Sequence, residues 1–256
     1  MHERHSVTLI LPAYNEVARI SGTIGRATKY FRERGYRYEL IVAADGTDGT
    51  REAALDTGRH DSAIKVIGSA ERRGKGHGIR EAVMLARGNF IGFADADEKT
   101  PVEEFEKFIP LLSQGKEVVI GTRADSESVI EKPQPMYRRW GSKGFNSFMH
   151  AIVGLRQIKD TQCGFKFFQR EVALKLFHLQ KIDGYLFDVE VLYLAQKFGY
   201  HIAQVPVRWK DDADSRLQLF RGNVRNAIDL LRIPLIHRNL EPDPGTDKKC
   251  MSGTAL

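Results

Sequence analysis

Asp95-Ala96-Asp97 closes the apolar run Asn89–Ala94 and precedes Lys99-Thr100-Pro101. Two carboxylates at i and i+2, where a strand ends, can converge on one hard divalent cation. Mg2+ or Mn2+ held in that way takes oxygen ligands, bridges a diphosphate and neutralises charge on a leaving group. A plainer reading is also open, a solvated loop whose aspartate caps a helix starting at Pro101. Lys75 stands in Arg72-Arg73-Gly74-Lys75-Gly76-His77-Gly78, directly before a helical pattern. Glycines there permit close backbone approach and the lysine supplies a point charge, so the segment reads as a phosphate seat at a helix N-terminus. It lacks the GxxxxGK[ST] spacing of a P-loop, and no GxGxxG follows the first apolar run, which weighs against a dinucleotide site. Pro12-Ala13-Tyr14-Asn15-Glu16 ends that first run, where Glu16 also suits the positive end of a helix and Tyr14 could simply pack. Asp45-Gly46-Thr47-Asp48-Gly49 ends the second, with a turn and N-cap as its plainer reading.

These loops need a frame that brings them to one edge. Val7–Leu11, Glu39–Ala43, Ile64–Ile67, Asn89–Ala94 and Glu117–Ile120 read as buried strands. Between them the pattern turns helical at Glu16–Glu33, Asp48–Gly58, Gly78–Arg87 and Pro101–Leu112, the last with proline in its first turn. Such crossovers predict an α/β fold, a mostly parallel sheet flanked by helices, with ligands beyond the carboxyl ends of the strands. The second half is less regular. Ala124–Pro135 reads as a polar loop, Met136–Val153, Glu171–Phe177 and Val189–Phe198 as helices, Phe165–Phe168 as a strand and Ile202–Trp209 as an edge strand. Ser215–Ile233 is amphipathic, with Leu217, Phe220, Val224, Ile228 and Leu231 on one stripe and Arg216, Arg221, Arg225 and Arg232 elsewhere. We expect a single domain over residues 1–240, its C-terminal helix at about 215–238, and a disordered polar tail at 241–256.

The 256 residues, 42% hydrophobic and 28% charged, exclude a disordered or fibrous chain and suffice for a large core without disulfide or metal staples. Cys163 and Cys250 are far apart and match no zinc spacing, which predicts a reducing, cytoplasmic setting. No apolar run approaches the roughly 18 residues that cross a bilayer, and the short polar start is no secretory signal. The net charge of +6 implies an acidic partner. Nucleic acid, an anionic membrane surface and a phosphorylated small substrate all fit the charge; without aromatic-interleaved basic strands, zinc fingers or a helix-turn-helix, nucleic acid is not expected.

Taken in order, Pro12–Glu16, Asp45–Thr50, Gly74–Arg80 and Asp95–Asp97 resemble the family 2 glycosyltransferases of GT-A fold. Phe93–Asp97, Gly121-Thr122-Arg123, Asp160-Thr161-Gln162-Cys163-Gly164-Phe165-Lys166, Phe187-Asp188-Val189-Glu190 and Val207-Arg208-Trp209 are similar to the dolichyl-phosphate β-glucosyltransferase branch. The resemblance runs from Ser6 to Ile233. It implies inverting transfer of a sugar, glucose or an N-acetylhexosamine, from a UDP-sugar to a polyprenyl phosphate, assisted by Mg2+ or Mn2+. By the same resemblance Pro12, Tyr14, Glu16, Asp45, Lys75, Asp95 and Arg216 would bind the nucleotide, and Asp95 and Asp97 the metal. Arg123, Arg139, Gln162, Lys166 and Asp188 would surround the sugar and the acceptor phosphate, with Asp97, Arg123 and Arg139 closest to the chemistry. Three departures stand out. Ala44 precedes Asp45 where the family pairs aspartates, and one loop residue is missing. Lys99 occupies the place of a metal-ligating glutamine in the mannosyl branch, which points away from GDP-mannose. The membrane-anchored relatives carry a transmembrane helix that this sequence does not show.

A phosphate monoester acceptor is already anionic, so this reading needs no general base; Arg123 and Arg139 would grip the phosphate bidentately. With a hydroxyl acceptor, Asp188 or Glu190 would be candidate bases, against the plainer role of acids in a helix's first turn. Cys163 reads as a packed small residue and Trp209 as packing. The C-terminal helix either packs on the core or lies on an anionic membrane face, making the protein peripheral. A GDP-mannose-dependent mannosyltransferase and a non-catalytic nucleotide-sugar-binding module are the alternatives.

Overall fold

The computed structural model describes residues 6–125, 128–129, 152–210 and 223–241. Its strands are β1 (Ser6–Ala13), β2 (Arg37–Ala44), β3 (Ile64–Ile67), β4 (Phe90–Ala94), β5 (Val118–Thr122), β6 (Phe165–Gln169) and β7 (Ile202–Pro206). The helices are α1 (Ile20–Glu33), α2 (Thr50–Gly58), α3 (Lys75–Leu85), α4 (Phe105–Ser113, entered through a 3-10 turn at Val102–Glu104), α5 (Arg170–Leu179), α6 (Phe187–Lys197) and α7 (Asn223–Ile236). The predicted strands of the first half lie where the periodicity put them. The expected helix over Met136–Val153 apart from its last two residues, most of the loop Ala124–Pro135, the residues 215–222 and all but the first residue of the tail lie outside the described residues, as do Arg139 and Arg216.

The seven strands run in the order β3-β2-β1-β4-β6-β5-β7. All point the same way except β6, which is antiparallel to both β4 and β5. The order reverses beside β1, so the crevice at the carboxyl ends of β1 and β4 is the place where this topology leaves room for a ligand. Because β6 runs backwards, its first residues arrive at that same edge: Ala94 pairs with Phe165, and the Asp95 amide donates to the Gly164 carbonyl at 3.1 Å.

Alternation along the strands sends one set of side chains to each face. Leu9, Leu11, Leu40, Val42, Phe165 and Phe167 pack with Ile20, Ile24, Phe31, Phe105 and Phe108 of α1 and α4. Ile10, Ile41, Ile91, Phe93 and Phe168 pack with α3, α5, α6 and α7 on the other face. Truncating one of these fully buried phenylalanines to alanine removes about 3–5 kcal/mol of stability. Lys166 lies between Phe165 and Phe167, so the same alternation drives it into the α6 face, where it is fully buried.

The C-terminal helix departs from the expected stripe. Leu230, Ile233 and His237 are its buried row, whereas Ile228 and Leu231 are each 51% exposed and Leu235 is 64% exposed. The apolar positions form two adjacent rows on α7, and only one of them faces the core.

Candidate active site

The site begins with the turn that follows β4. Glu98 adopts φ +55°, and Asn15, in the loop after β1, adopts φ +58°. Left-handed backbone at two non-glycine residues is a local strain, and here it marks the two loops that flank the crevice. Arg26 of α1 clasps the Glu98 carboxylate through two nitrogens, and the Glu16 amide donates to Thr50 Oγ1 at 2.9 Å.

Asp95 meets Lys75: Nζ donates to Oδ1 at 2.5 Å, with the lysine and aspartate side chains 23% and 36% exposed. Burial alone would raise the Asp95 carboxyl, but Lys75 beside it, with Lys166 and Arg123 farther out, holds it below the usual carboxylate range. Burial by itself would lower the Lys75 ammonium; Asp95 first, then Asp188 and Asp97, keep it above its ordinary value. Asp97 has its own partner, Lys99 Nζ at 3.0 Å. The other side of Asp95 rests on Gly164, where any Cβ would overlap its carboxylate oxygens. The glycine of the Asp160–Lys166 string is therefore what lets β6 approach this acid.

Behind this rim lie Lys166 and Asp188, both buried, and Arg123, whose side chain is 30% exposed over a buried Asp160. Lys166 Nζ donates to the Cys163 carbonyl at 2.5 Å and to Asp188 Oδ2 at 3.3 Å. Burial raises the Asp188 carboxyl even against Lys166 and Lys75. Arg123 is held by Asp160, with Nε to Oδ2 at 2.7 Å and Nη2 to Oδ1 at 2.9 Å, and its guanidinium lies 5.4 Å from the Trp209 ring centre. Burial alone would raise the Asp160 carboxyl; Arg123 instead lowers it. Burial pushes the Cys163 thiol up to about 11, so it is protonated at neutral pH and is packed rather than nucleophilic.

Several predicted residues are thus together and others differ from expectation. Lys75, Asp95 and Asp97 share the rim, and Gln162 is exposed beside it. Lys166 and Asp188 form the buried layer beneath. Asp45 supports a loop: Oδ1 accepts the Ser69 amide at 3.1 Å, and Oδ2 the Arg73 amide at 2.8 Å. The amides of Gly76 and His77, read from sequence as a phosphate seat, donate to the Asp183 carbonyl at 2.8 and 3.3 Å. The glycines there admit the chain's own 180–183 segment, since a Cβ at Gly74 or Gly76 would collide with its carbonyls. Glu190 caps nothing in its own helix; it binds the Lys181 and Ile182 amides, each at 2.8 Å. Sequence reasoning missed Asp160 as the partner of Arg123 and Arg72 as the neighbour of Tyr14, its guanidinium 4.2 Å from the ring centre.

Residues 8–177 match the family described as Glycosyl transferase family 2. The chain belongs to that family. It is 34% identical over 242 residues to a dolichyl-phosphate beta-glucosyltransferase of Trichomonas vaginalis, covering 90% of this chain and 71% of the relative. It is 32% identical to the enzyme of that name from Saccharomyces cerevisiae and 33% to that of Homo sapiens, in each case over 90% of this chain and 75% of the relative. Among solved structures, the fold matches glucosyl-3-phosphoglycerate synthase of Mycobacterium tuberculosis in complex with Mn2+, UDP-glucose and phosphoglyceric acid. That match has a TM-score of 0.64 at 19% identity and covers 94% of this chain and 82% of that one. Mannosyl-3-phosphoglycerate synthase of Rubrobacter xylanophilus matches with a TM-score of 0.67 at 18% identity, covering 93% and 76%. The protein is a glycosyltransferase of GT-A fold, which removes the non-catalytic alternative.

Proposed function

We propose that the protein transfers glucose from UDP-glucose to a dolichyl-type polyprenyl phosphate with inversion at the anomeric carbon. The observation that carries this reading is identity above 30% across nine-tenths of the chain to enzymes named for that transfer. The rim acids and Lys75 supply the chemistry it requires.

A divalent cation fits the donor set. Asp95 and Asp97 offer hard carboxylate oxygens, each is partly exposed, and each has a lysine partner at the rim. Among the described residues no three acidic, histidine or cysteine side chains converge, so these two aspartates would hold Mg2+ or Mn2+ jointly with diphosphate oxygens and water. When bound, the ion neutralises charge on the leaving diphosphate. Lys75, at the rim beside Asp95, would supply a second cation for the same charge. Pro12, Tyr14 and Glu16 line the nucleotide end of the crevice, and Asp45 acts there by fixing the loop that carries Arg72 and Arg73. Arg123, fixed by Asp160 and Trp209, presents its positive charge toward the acceptor phosphate; the resemblance to the family assigns phosphate binding to Arg139 and Arg216 as well. The acceptor is anionic at pH 7 and needs orientation more than deprotonation, so Asp188 has no task as a base; it neutralises Lys166.

Among the described residues no helix is long and apolar enough to cross a membrane. The second row of α7, Ile228, Leu231 and Leu235 with Arg232 and Arg238 nearby, would rest on an anionic lipid face and bring the crevice to its acceptor. Cosedimentation with anionic liposomes that weakens in high salt is expected; equal recovery with and without liposomes contradicts it.

The test of the reaction is incubation with UDP-[14C]glucose, Mn2+ and dolichyl phosphate. Label should move into the organic phase. Label appearing only on a soluble hydroxyl acceptor would overturn the lipid assignment, and equal use of GDP-mannose would overturn the donor.

A further inference from the structure

We propose that Glu190 and His237 are positioning residues: as a pair they clamp the 180–183 segment onto the start of α3, so that the C-terminal helix fixes where Lys75 meets Asp95. The clamp rests on the reading of Lys75 as a cation for the donor diphosphate.

The pair is built for a task that neither helix needs for itself. Glu190 lies in the first turn of α6, yet both carboxylate oxygens point away from that helix. Oε1 accepts the Lys181 amide and Oε2 the Ile182 amide, each at 2.8 Å. His237, just past α7, brings Nε2 to 2.6 Å from Oε1. Its side chain is 3% exposed and that of Glu190 is fully buried, so the imidazole depends on Glu190 for its polar partner, and the carboxylate is met by His237 together with the two amides.

The segment so held presses on α3. The Gln180 side-chain amide donates to the Gly76 carbonyl at 3.1 Å, and the Asp183 carbonyl accepts the Gly76 amide at 2.8 Å. The Arg80 guanidinium, one helical turn on, lies 2.7 Å from the Asp183 carboxylate. Gly74, at φ +118°, and Gly76 have no room for a Cβ against the same segment. Lys75 sits between these two glycines, so its backbone is fixed on both sides while its side chain runs to Asp95. The chain of contacts therefore leads from α7 through Glu190 and residues 180–183 to the Lys75 ammonium, although neither Glu190 nor His237 reaches the crevice.

A merely structural pair would change stability and nothing else, so the test reads two other quantities on the full chain. Hydrogen exchange of His237→Leu should accelerate at the Lys181, Ile182, Gly76 and His77 amides while the amides of β1 and β4 keep their protection. With UDP-glucose, Mn2+ and dolichyl phosphate, His237→Leu should raise the donor KM about tenfold with the acceptor KM unchanged, and His237→Gln, which restores a donor to Glu190, should recover most of it. In a Lys75→Ala background, His237→Leu should add no further loss. Should the leucine variant fail to fold, His237→Asn, too short to reach Glu190, carries the same measurements. Faster exchange confined to Lys181 and Ile182, or losses that add to those of Lys75→Ala, would overturn the clamp. Absence of UDP-glucose turnover in the unaltered protein would instead overturn the donor assignment and leave the exchange pattern to decide the clamp.

Discussion

Two layers of charge lie at the carboxyl edge of the sheet, and they differ in depth more than in composition. In the rim layer, Lys75–Asp95 and Lys99–Asp97 have side chains between 18% and 36% exposed. In the layer beneath, Lys166–Asp188 and His237–Glu190 do not exceed 6%. A rim acid can exchange its lysine for water, a metal ion or a phosphate without leaving a bare charge in a low dielectric. A buried acid cannot, because losing its partner leaves a charge that nothing solvates. The rim is where a ligand can act; the lower layer holds the rim in place.

That contrast breaks first under removal of a cation. Lys166→Ala should cost about 3–5 kcal/mol by leaving Asp188 buried and unpaired, whereas Lys75→Ala should cost less than half of that, with the greater part of its effect on turnover. Urea unfolding of both variants measures the difference, and equal losses would erase the distinction between layers. Gly164→Ala comes next. Its methyl must displace the Asp95 carboxylate, at a cost of about 1–3 kcal/mol by overpacking, and the donor KM should rise along with it. An alanine variant with native stability and kinetics would mean that Asp95 does not depend on the approach of β6.

Acid and base limbs sharpen the same contrast, because Asp95 at the rim and Asp188 beneath it titrate with opposite sign. The Asp95 and Asp160 carboxyls are depressed in the folded protein, so their contribution is complete above the unfolded value near pH 4 and is lost as pH falls through their lower folded values. Asp188 is raised by burial, so its contribution is complete below about pH 4 and falls away as pH rises through its higher folded value. Asp95→Asn should therefore flatten the acid limb of a stability-against-pH curve, and Asp188→Asn the limb above it. The reverse assignment would exchange the layers. The smallest effect is expected at the outer boundary of the rim, where Arg26→Ala removes an exposed contact to Glu98 and should cost under about 1 kcal/mol.

Much of this was legible before any coordinates. The alternation of apolar runs and helical periods located the first five strands, and strand-end placement put Asp95, Asp97 and Lys75 together. The direction of β6 was not legible, since the run Phe165–Phe168 is equally apolar whichever way the strand is laid. The depth of Lys166 follows from its place between Phe165 and Phe167, a period-two signal that its charge obscures. Partners distant in sequence leave no local mark at all: Asp160 beneath Arg123 and His237 against Glu190 exist only once the fold brings them close. In α7 the pattern held two apolar rows, and composition alone could not say which would meet the core.

The central claim is that Asp95 and Asp97 seat a divalent ion with the diphosphate of the donor. Calorimetric titration of UDP-glucose into the protein, with and without Mn2+, tests it directly when repeated on Asp97→Ala. The expected result is Mn2+-dependent binding that weakens by about tenfold or more in the variant while its melting temperature stays near that of the unaltered chain. Undiminished, Mn2+-dependent binding by Asp97→Ala would contradict the claim and place the ion elsewhere.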